Sequence, residues 1–312
     1  MSAAISSYHF KYRLSYWTLF SWSRRLQVKA HGLDIGDATL PPLAPDSDGL
    51  LLRALPLAID VRPVTYVDHH GQTLLRYVLQ RFPRYYISMT GLDFEAYKAK
   101  FSSKTRSTLA RKVRKLAEHC GGSLRWESFR GPADLARFWQ LAREVSAKTY
   151  QERLLDAGLP DDPAYRAQAE RWAADDALRA FLLFDGERPV SYLFCPIHDG
   201  IVDYAFLGYD PAYGRFSVGT VLQWLALESL FAERRYRFFD FTEGESEHKR
   251  LFATDQLECA HVALLRPTLM HRLLVCSHHA FSRAVEGLGR WLDRHDLRNR
   301  VRRWMRDGRG DT

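Results

Sequence analysis

Between Tyr209 and Phe231 the chain reads YDPAYGRFSVGTVLQWLALESLF: a turn, a run of small residues, then an apolar helix pattern. The run before it, IVDYAFLGY, has the composition of a strand. Strand, small-residue turn and helix together present unpaired backbone N–H groups to an anion. With the helix starting near Ser217, the N–H groups of Ser217, Val218, Gly219 and Thr220 have no intrahelical acceptor. The helix dipole adds about half a positive charge at that end. Gly219 has no side chain and lets a ligand approach the backbone. The chemistry this suits is the holding of a phosphate or pyrophosphate, although many joints of this kind hold no ligand.

Four side chains on the flanking segments can move protons or stabilise charge. Asp203 lies inside the otherwise apolar IVDYAF. Burial there would raise its pKa, as a general base requires; a strand-end Asp facing solvent is the plain alternative. Asp240 follows the aromatic run YRFF, and open sheets place ligands at strand ends. It equally suits capping the next turn. His248 titrates near neutrality and can shuttle a proton, and Lys249 can pair with a phosphate or stabilise an oxyanion as a point charge.

The elements that must position these residues are legible in outline. Residues 1–95 read as short strands and loops, with KYRLSYWTLF, GLLLRALPLAID and RYYISMTG as strands. Trp17, Trp22 and Tyr66 could line a pocket, but aromatic residues of this kind are more often core. DFEAYKAKFSSKTRSTLARKVRKLAEHCGG reads as a helix capped at Ser102 or Ser103 and stopped by Gly121-Gly122. Leu109, Val113 and Leu116 form its apolar stripe. Lys104, Arg106, Arg111, Lys112, Arg114 and Lys115 lie on its other face, as solvated charge or as a docking surface for a phosphate-bearing substrate. Two helical stretches follow, then three strands from Leu178 to Asp210, with Asp185-Gly186 and Asp199-Gly200 as hairpin turns. The buried helix, the strand YRFFDF and the strand CAHVALLRP come next. Beyond residue 267 the chain is helical and basic, with Met270, Leu273, Leu274, Phe281, Leu288 and Leu292 as an apolar stripe and an Arg-rich end.

Composition excludes several classes. The net charge of +8 permits phosphate-rich partners or an anionic membrane surface without choosing between them. The four cysteines are dispersed without a CxxC pair, against a zinc cluster or disulfide scaffold. No metal is expected. There is no G-x-S-x-G, H-E-x-x-H or Walker A sequence. With no secretory h-region and no apolar run of membrane-spanning length, the expected location is the cytoplasm, with peripheral contact at the inner membrane through the Arg-rich tail as an option.

The element order resembles the GNAT superfamily of acyl-CoA N-acyltransferases. In that family the turn has the pattern Q/R-x-x-G-x-G/A and holds the pyrophosphate of coenzyme A. The matching residues here are Gly214, Arg215, Phe216, Ser217, Val218 and Gly219. The last Gly is kept, Ser217 replaces the first, and Gly214 takes the Q/R position with Arg215 one place later. A second segment, DFTEGESEHKRLF, is similar to the D-F-x-x-G…(Y)K-x-x-F pattern of one GNAT branch. That branch is found in exopolysaccharide and cellulose synthesis clusters and is related to the FemAB peptidoglycan transferases. Asp240, Gly244, Lys249 and Phe252 match, and His248 stands where the branch often has Tyr. The basic helix SKTRSTLARKVRKL resembles the start of the same domain.

The resemblance spans about residues 96–266. It implies an α+β sandwich of the GNAT fold, with a mixed, mostly antiparallel central sheet flanked by helices. Residues 1–95 would form a strand-rich region, with a degenerate second GNAT-like half as one reading, and 267–312 a basic helical tail. The implied activity is transfer of an acetyl or other acyl group from acyl-CoA to an amine, with an amino sugar of a polysaccharide precursor as acceptor. Arg215, Phe216, Ser217, Val218, Gly219 and Thr220 would contact acetyl-CoA. Asp203, Asp240, His248 and Lys249 would carry the proton transfers and charge stabilisation. Two other readings stay open: a FemAB-like transferase using aminoacyl-tRNA, and a non-catalytic GNAT-fold binding module.

Overall fold

The computed structural model describes residues 5–14, 17–33, 40–57, 60–149 and 158–294. The chain divides into two compact units, one of residues 1–81 and 258–312, the other of residues 82–257. The segments read separately as an N-terminal strand region and a C-terminal tail thus share a unit, because a late strand pairs with an early one.

In the first unit, β1 (Ile5–Leu14) and β2 (Trp17–Ala30) form an antiparallel hairpin, and β2 runs parallel to β3 (Gly49–Pro56). β4 (Val64–His69) pairs antiparallel with the start of β5 (Gln72–Ser88). The late strand β12 (Asp255–Leu265) pairs antiparallel with β3. These strands are longer than the short ones expected; β5 continues through Pro83, which breaks the visible pattern. The final helix α7 (Leu269–Arg294) buries Leu274 and Val275 with Phe10, Leu26 and Tyr77. Met270, Leu273 and Leu288 of the expected stripe are exposed instead, as are Trp17 and Tyr66. The Arg-rich end lies outside the described residues.

In the second unit, the end of β5 is antiparallel to β11 (Phe238–Asp240), and β11 is parallel to β9 (Ile201–Asp203). β9 continues antiparallel to β8 (Arg188–His198), β8 to β7 (Leu178–Asp185), and β7 to β6 (Arg125–Phe129). This is the mixed, mostly antiparallel sheet the sequence implies, flanked by helices. β7 and β8 are buried on both faces, as their near-continuous apolar runs require. Phe181, Leu183, Leu193 and Cys195 face the core of the long helix α5 (Val218–Ala232). Ala180, Leu182, Tyr192 and Phe194 face α3 (Pro132–Ser146) and α4 (Pro163–Ala174).

The segment read as helical holds α2 (Ser103–His119), which starts at the expected cap, and a separate short helix before it, α1 (Phe94–Ala99). Ser102 caps α2 by accepting from the Thr105 N–H. Leu109 and Leu116 are buried and Val113 packs beside them, leaving the basic face outward. Asp199 and Gly200 take positive φ at the β8–β9 turn, as an Asp-Gly hairpin demands.

Candidate active site

The chain after β9 builds the site. Tyr204 N–H donates to Asp240 O at 2.8 Å, and the strand then breaks, Ala205 N–H meeting both Phe194 O and Asp203 O. It resumes as β10 (Phe206–Tyr209), which pairs with β8 alone among the described residues. β10 and β11 therefore part at Tyr204, and the N-terminus of α5 faces the gap. A cleft of about 260 Å³ results, lined by Tyr204, Leu207, Tyr209, Gly214, Ser217 to Thr220 and His248.

The turn into α5 is held from several sides. Asp210 accepts from Ala212 N–H and is ion-paired with Arg188 at 2.6 Å, with Lys148 at 3.5 Å. The turn itself is a 3₁₀ helix, Pro211–Phe216. Tyr213 Oη donates to Asp185 at 2.7 Å. Phe216 is buried and stacked on His119 of α2, ring centres 4.4 Å apart. Lys115 Nζ lies 5.4 Å from the same ring and 3.4 Å from Arg215 O. The basic helix thus places an ammonium beside the turn.

Ser217 enters α5 in the left-handed conformation, φ 54° and ψ 43°. Its N–H donates to Gly214 O and its own O accepts from Val221 N–H. Gly214 lies outside α5 and takes the Ser217 N–H, which leaves the N–H groups of Val218, Gly219 and Thr220 ahead of the first intrahelical acceptor. A Cβ on Gly219 would come 3.0 Å from Leu207 Cδ2 and 3.4 Å from Tyr209 Cδ1. Its lack of a side chain lets α5 pack against β10 as well as leaving the cleft open. Of the other cofactor residues named from sequence, Phe216 is turned into the core, and Arg215 folds over it at 4.7 Å instead of lining the cleft.

The four candidate catalytic residues are divided. α6 (Glu247–Phe252), capped by Ser246, carries His248 to the cleft wall. His248 Nε2 lies 2.7 Å from Gln223 Oε1 of α5, and its ring packs on Phe252. Burial, with the ammonium groups of Lys112 and Lys249, pushes its pKa down to about 4, so the ring is neutral at physiological pH. Lys249 Nζ donates to Glu243 O and ties down the loop before α6. Burial lowers its pKa, while Asp240 and Glu243 oppose that shift.

Asp203 and Asp240 lie on the opposite sheet face. Their neighbours Val202, Tyr204, Phe239 and Phe241 pack toward α5, and Asp203 instead reaches His198 Nδ1 at 3.2 Å. Asp203 Oδ1 is buried without a partner. Asp240 is fully buried and held by Arg84 Nε at 2.8 Å and 3.1 Å. Burial pushes Asp240 up and Arg84 pulls it back. Sequence reasoning missed Arg84, which carries no motif, and Tyr204, Leu207 and Tyr209. It also missed Gln223, whose signal was available: a lone amide in an apolar helix.

The family model described as an acetyltransferase (GNAT) domain matches residues 103–250. The chain carries a GNAT-type acetyltransferase domain over those residues. They lie inside the second unit and include the cleft-lining residues, α2 and the first turn of α6. Solved structures similar to the chain include a GCN5-related N-acetyltransferase from Kribbella flavida, at 13% identity and TM-score 0.34 over 62% of this chain and 60% of that one. L-PGS from Bacillus licheniformis shows 12% identity and TM-score 0.42 over 64% and 66%. FemX shows 12% and 0.42 over 62% and 64%. The chain covers less than two thirds of each. Comparison with curated proteins gives no match. Among the described residues of the GNAT domain and the rest of the chain, no helix is long and apolar enough to cross a membrane and no His/Cys/Asp/Glu group is arranged to hold a metal ion.

Proposed function

We propose that the GNAT domain transfers an acyl group from an acyl-CoA, acetyl-CoA first among them, to an amine. The observation that carries this is the start of α5: three N–H groups without intrahelical acceptors open into a cleft, with Lys115 beside the turn. Such a helix end binds a pyrophosphate through backbone donors, dipole and nearby cations. β10 borders the same cleft with one edge unpaired among the described residues, and a strand edge can hydrogen-bond an extended, amide-bearing arm.

The acyl-CoA supplies an activated carbonyl. A neutral amine attacks that carbon, the C–N bond forms and the C–S bond breaks. His248, neutral and on the cleft wall, accepts the proton shed by the attacking nitrogen. Its low pKa makes the resulting imidazolium a strong acid, which returns the proton to the leaving thiolate. Tyr204, kept protonated by burial, is an O–H donor on the same wall. Lys249 and the carboxylates Asp203 and Asp240 support the strands and loop around the cleft. An amino sugar of an envelope or exopolysaccharide precursor is the acceptor favoured by the resemblance of the Asp240–Phe252 segment.

A second reading rests on a separate observation. Lys104, Arg111 and Arg114 of α2 are exposed along one helix, a surface that suits a nucleic-acid backbone and hence an aminoacyl-tRNA donor. Calorimetric titration with acetyl-CoA and desulfo-CoA at two salt concentrations separates the two. Micromolar binding that survives added salt supports the acyl-CoA reading. No binding, or binding lost with salt, overturns it in favour of tRNA-dependent transfer or a non-catalytic domain.

A further inference from the structure

Gln223 stands in α5 with no exposure at all. Its Nε2 is buried without a partner, and its Oε1 meets His248 Nε2 at 2.7 Å. An orphaned buried amide group is destabilising, a cost that a leucine in its place would avoid. Among the described residues, the one hydrogen bond that the amide makes is with the imidazole on the cleft wall.

We propose that Gln223 is a positioning residue that holds His248 as the Nε2–H tautomer and leaves Nδ1 as the proton acceptor for the cleft. A carbonyl oxygen only accepts, so the ring nitrogen that meets it carries the hydrogen and the other keeps its lone pair. His248 Nδ1 has no hydrogen-bond partner among the described residues and is not among the buried, unpaired atoms. The charged groups facing the ring are both cations, Lys112 from α2 and Lys249 from α6. The remaining neighbours are the Phe252 ring, 4.8 Å away, and Tyr204 on the same cleft wall. Gln223 is neutral, so it orients the ring without stabilising an imidazolium, unlike a carboxylate in the same place. The catalytic consequence rests on the acyl-transfer reading; the tautomer does not.

Long-range proton–nitrogen NMR spectra of protein labelled with ¹⁵N-histidine test this directly, with His248→Asn identifying one signal among the twelve histidines. The expected wild-type result is the Nε2–H tautomer at pH 7, still neutral at pH 5. Gln223→Leu is expected to fold with an equal or higher denaturant midpoint and to give a mixture of tautomers. Gln223→Met keeps the side-chain length and serves as the second variant. Gln223→Glu is expected to raise the His248 titration by more than about one pH unit. In an acyl-transfer assay, Gln223→Leu should lower kcat about tenfold at pH 7 and leave KM for acyl-CoA within about twofold. An Nδ1–H tautomer in the wild type, or an unchanged His248 signal in both Gln223→Leu and Gln223→Met, overturns the proposal. If the NMR results are as expected but no acyl-CoA supports transfer, the acyl-transfer reading fails and the positioning role stands.

Discussion

Asp203 and Asp240 stand opposite each other in register on the parallel strands β9 and β11, and their carboxylates have different partners. Asp240 is clamped by the Arg84 guanidinium in the sheet interior. Asp203 meets the half-exposed His198 and leaves one oxygen buried and unpaired. Two like charges on adjacent strands are tolerated because Arg84 neutralises one of them.

Arg84→Ala would leave a fully buried carboxylate without its cation. Removing one partner of a buried pair costs roughly 3–5 kcal/mol. A loss of unfolding free energy of that size is expected from urea titration, with a smaller loss for Arg84→Met combined with Asp240→Leu. A loss under about 1 kcal/mol for Arg84→Ala would show that the pair does not hold the sheet together.

Ser217 occupies a left-handed backbone conformation that costs a non-glycine residue about 1–2 kcal/mol. Ser217→Gly is therefore expected to stabilise the protein by roughly 1 kcal/mol, after glycine's greater freedom in the unfolded chain offsets part of the gain. Thermal unfolding measures it. The GNAT turn pattern has glycine at this position, so cofactor affinity should be unchanged or improved.

A methyl group at Gly219 would press on Leu207 of β10. In Gly219→Ala the crowding of Leu207 opposes the roughly 0.5–1 kcal/mol that alanine gains over glycine in a helix, and adding Leu207→Ala should relieve the crowding, a coupling readable in a double-mutant cycle. Gly219→Glu places a negative charge among the helix N–H groups and is expected to weaken acetyl-CoA binding more than about tenfold with the fold intact. Calorimetry that finds wild-type affinity in folded Gly219→Glu would remove the anion site from α5.

The two histidines near the site have opposite pH signatures. Burial holds His248 near 4. Between pH 6.5 and 4 the unfolded chain takes up a proton that the folded ring does not, so stability falls as pH drops through that window. His248→Asn should flatten this slope. His198 is raised by its hydrogen bond to Asp203. Its contribution is full below 6.5 and is lost as pH rises through the higher folded value. His198→Gln should lower stability at pH 6 and change little at pH 9, as denaturant titrations at the two pH values would record.

The fold of the second unit was largely legible because its signals are local. Asp-Gly turns, the Ser102 cap and the apolar runs of β7 and β8 each follow from a few adjacent residues. The first unit was less so. Its strands carry aromatic and charged residues together, Pro83 interrupts β5, and β3 finds its partner β12 some 200 residues away. The site was half legible. The turn and helix start proposed as a cradle lie in one continuous stretch, so their position could be read from adjacent residues. Asp203 and Lys249 have suitable chemistry, but which face of a strand or loop they take depends on the break at Ala205 and on the carbonyl of Glu243. Phe216 sits within the turn that resembles a cofactor-binding pattern, yet α2 offers it a histidine to stack on, and apolar burial wins.

The interruption between β9 and β10 also sets a reading frame. Leu207 faces α5, while a Cβ on Gly208 would fall 2.3 Å from the Tyr192 ring on the other side. Deleting one residue between Asp203 and Phe206 would exchange these two faces, driving a leucine into Tyr192 and leaving the cleft wall bare. An insertion or deletion there is thus barred by sterics, while replacing Leu207 by another apolar residue alters only the depth of the wall. Substitution along β10 reshapes the cleft wall, whereas a change in the length of the chain that enters it turns the strand over.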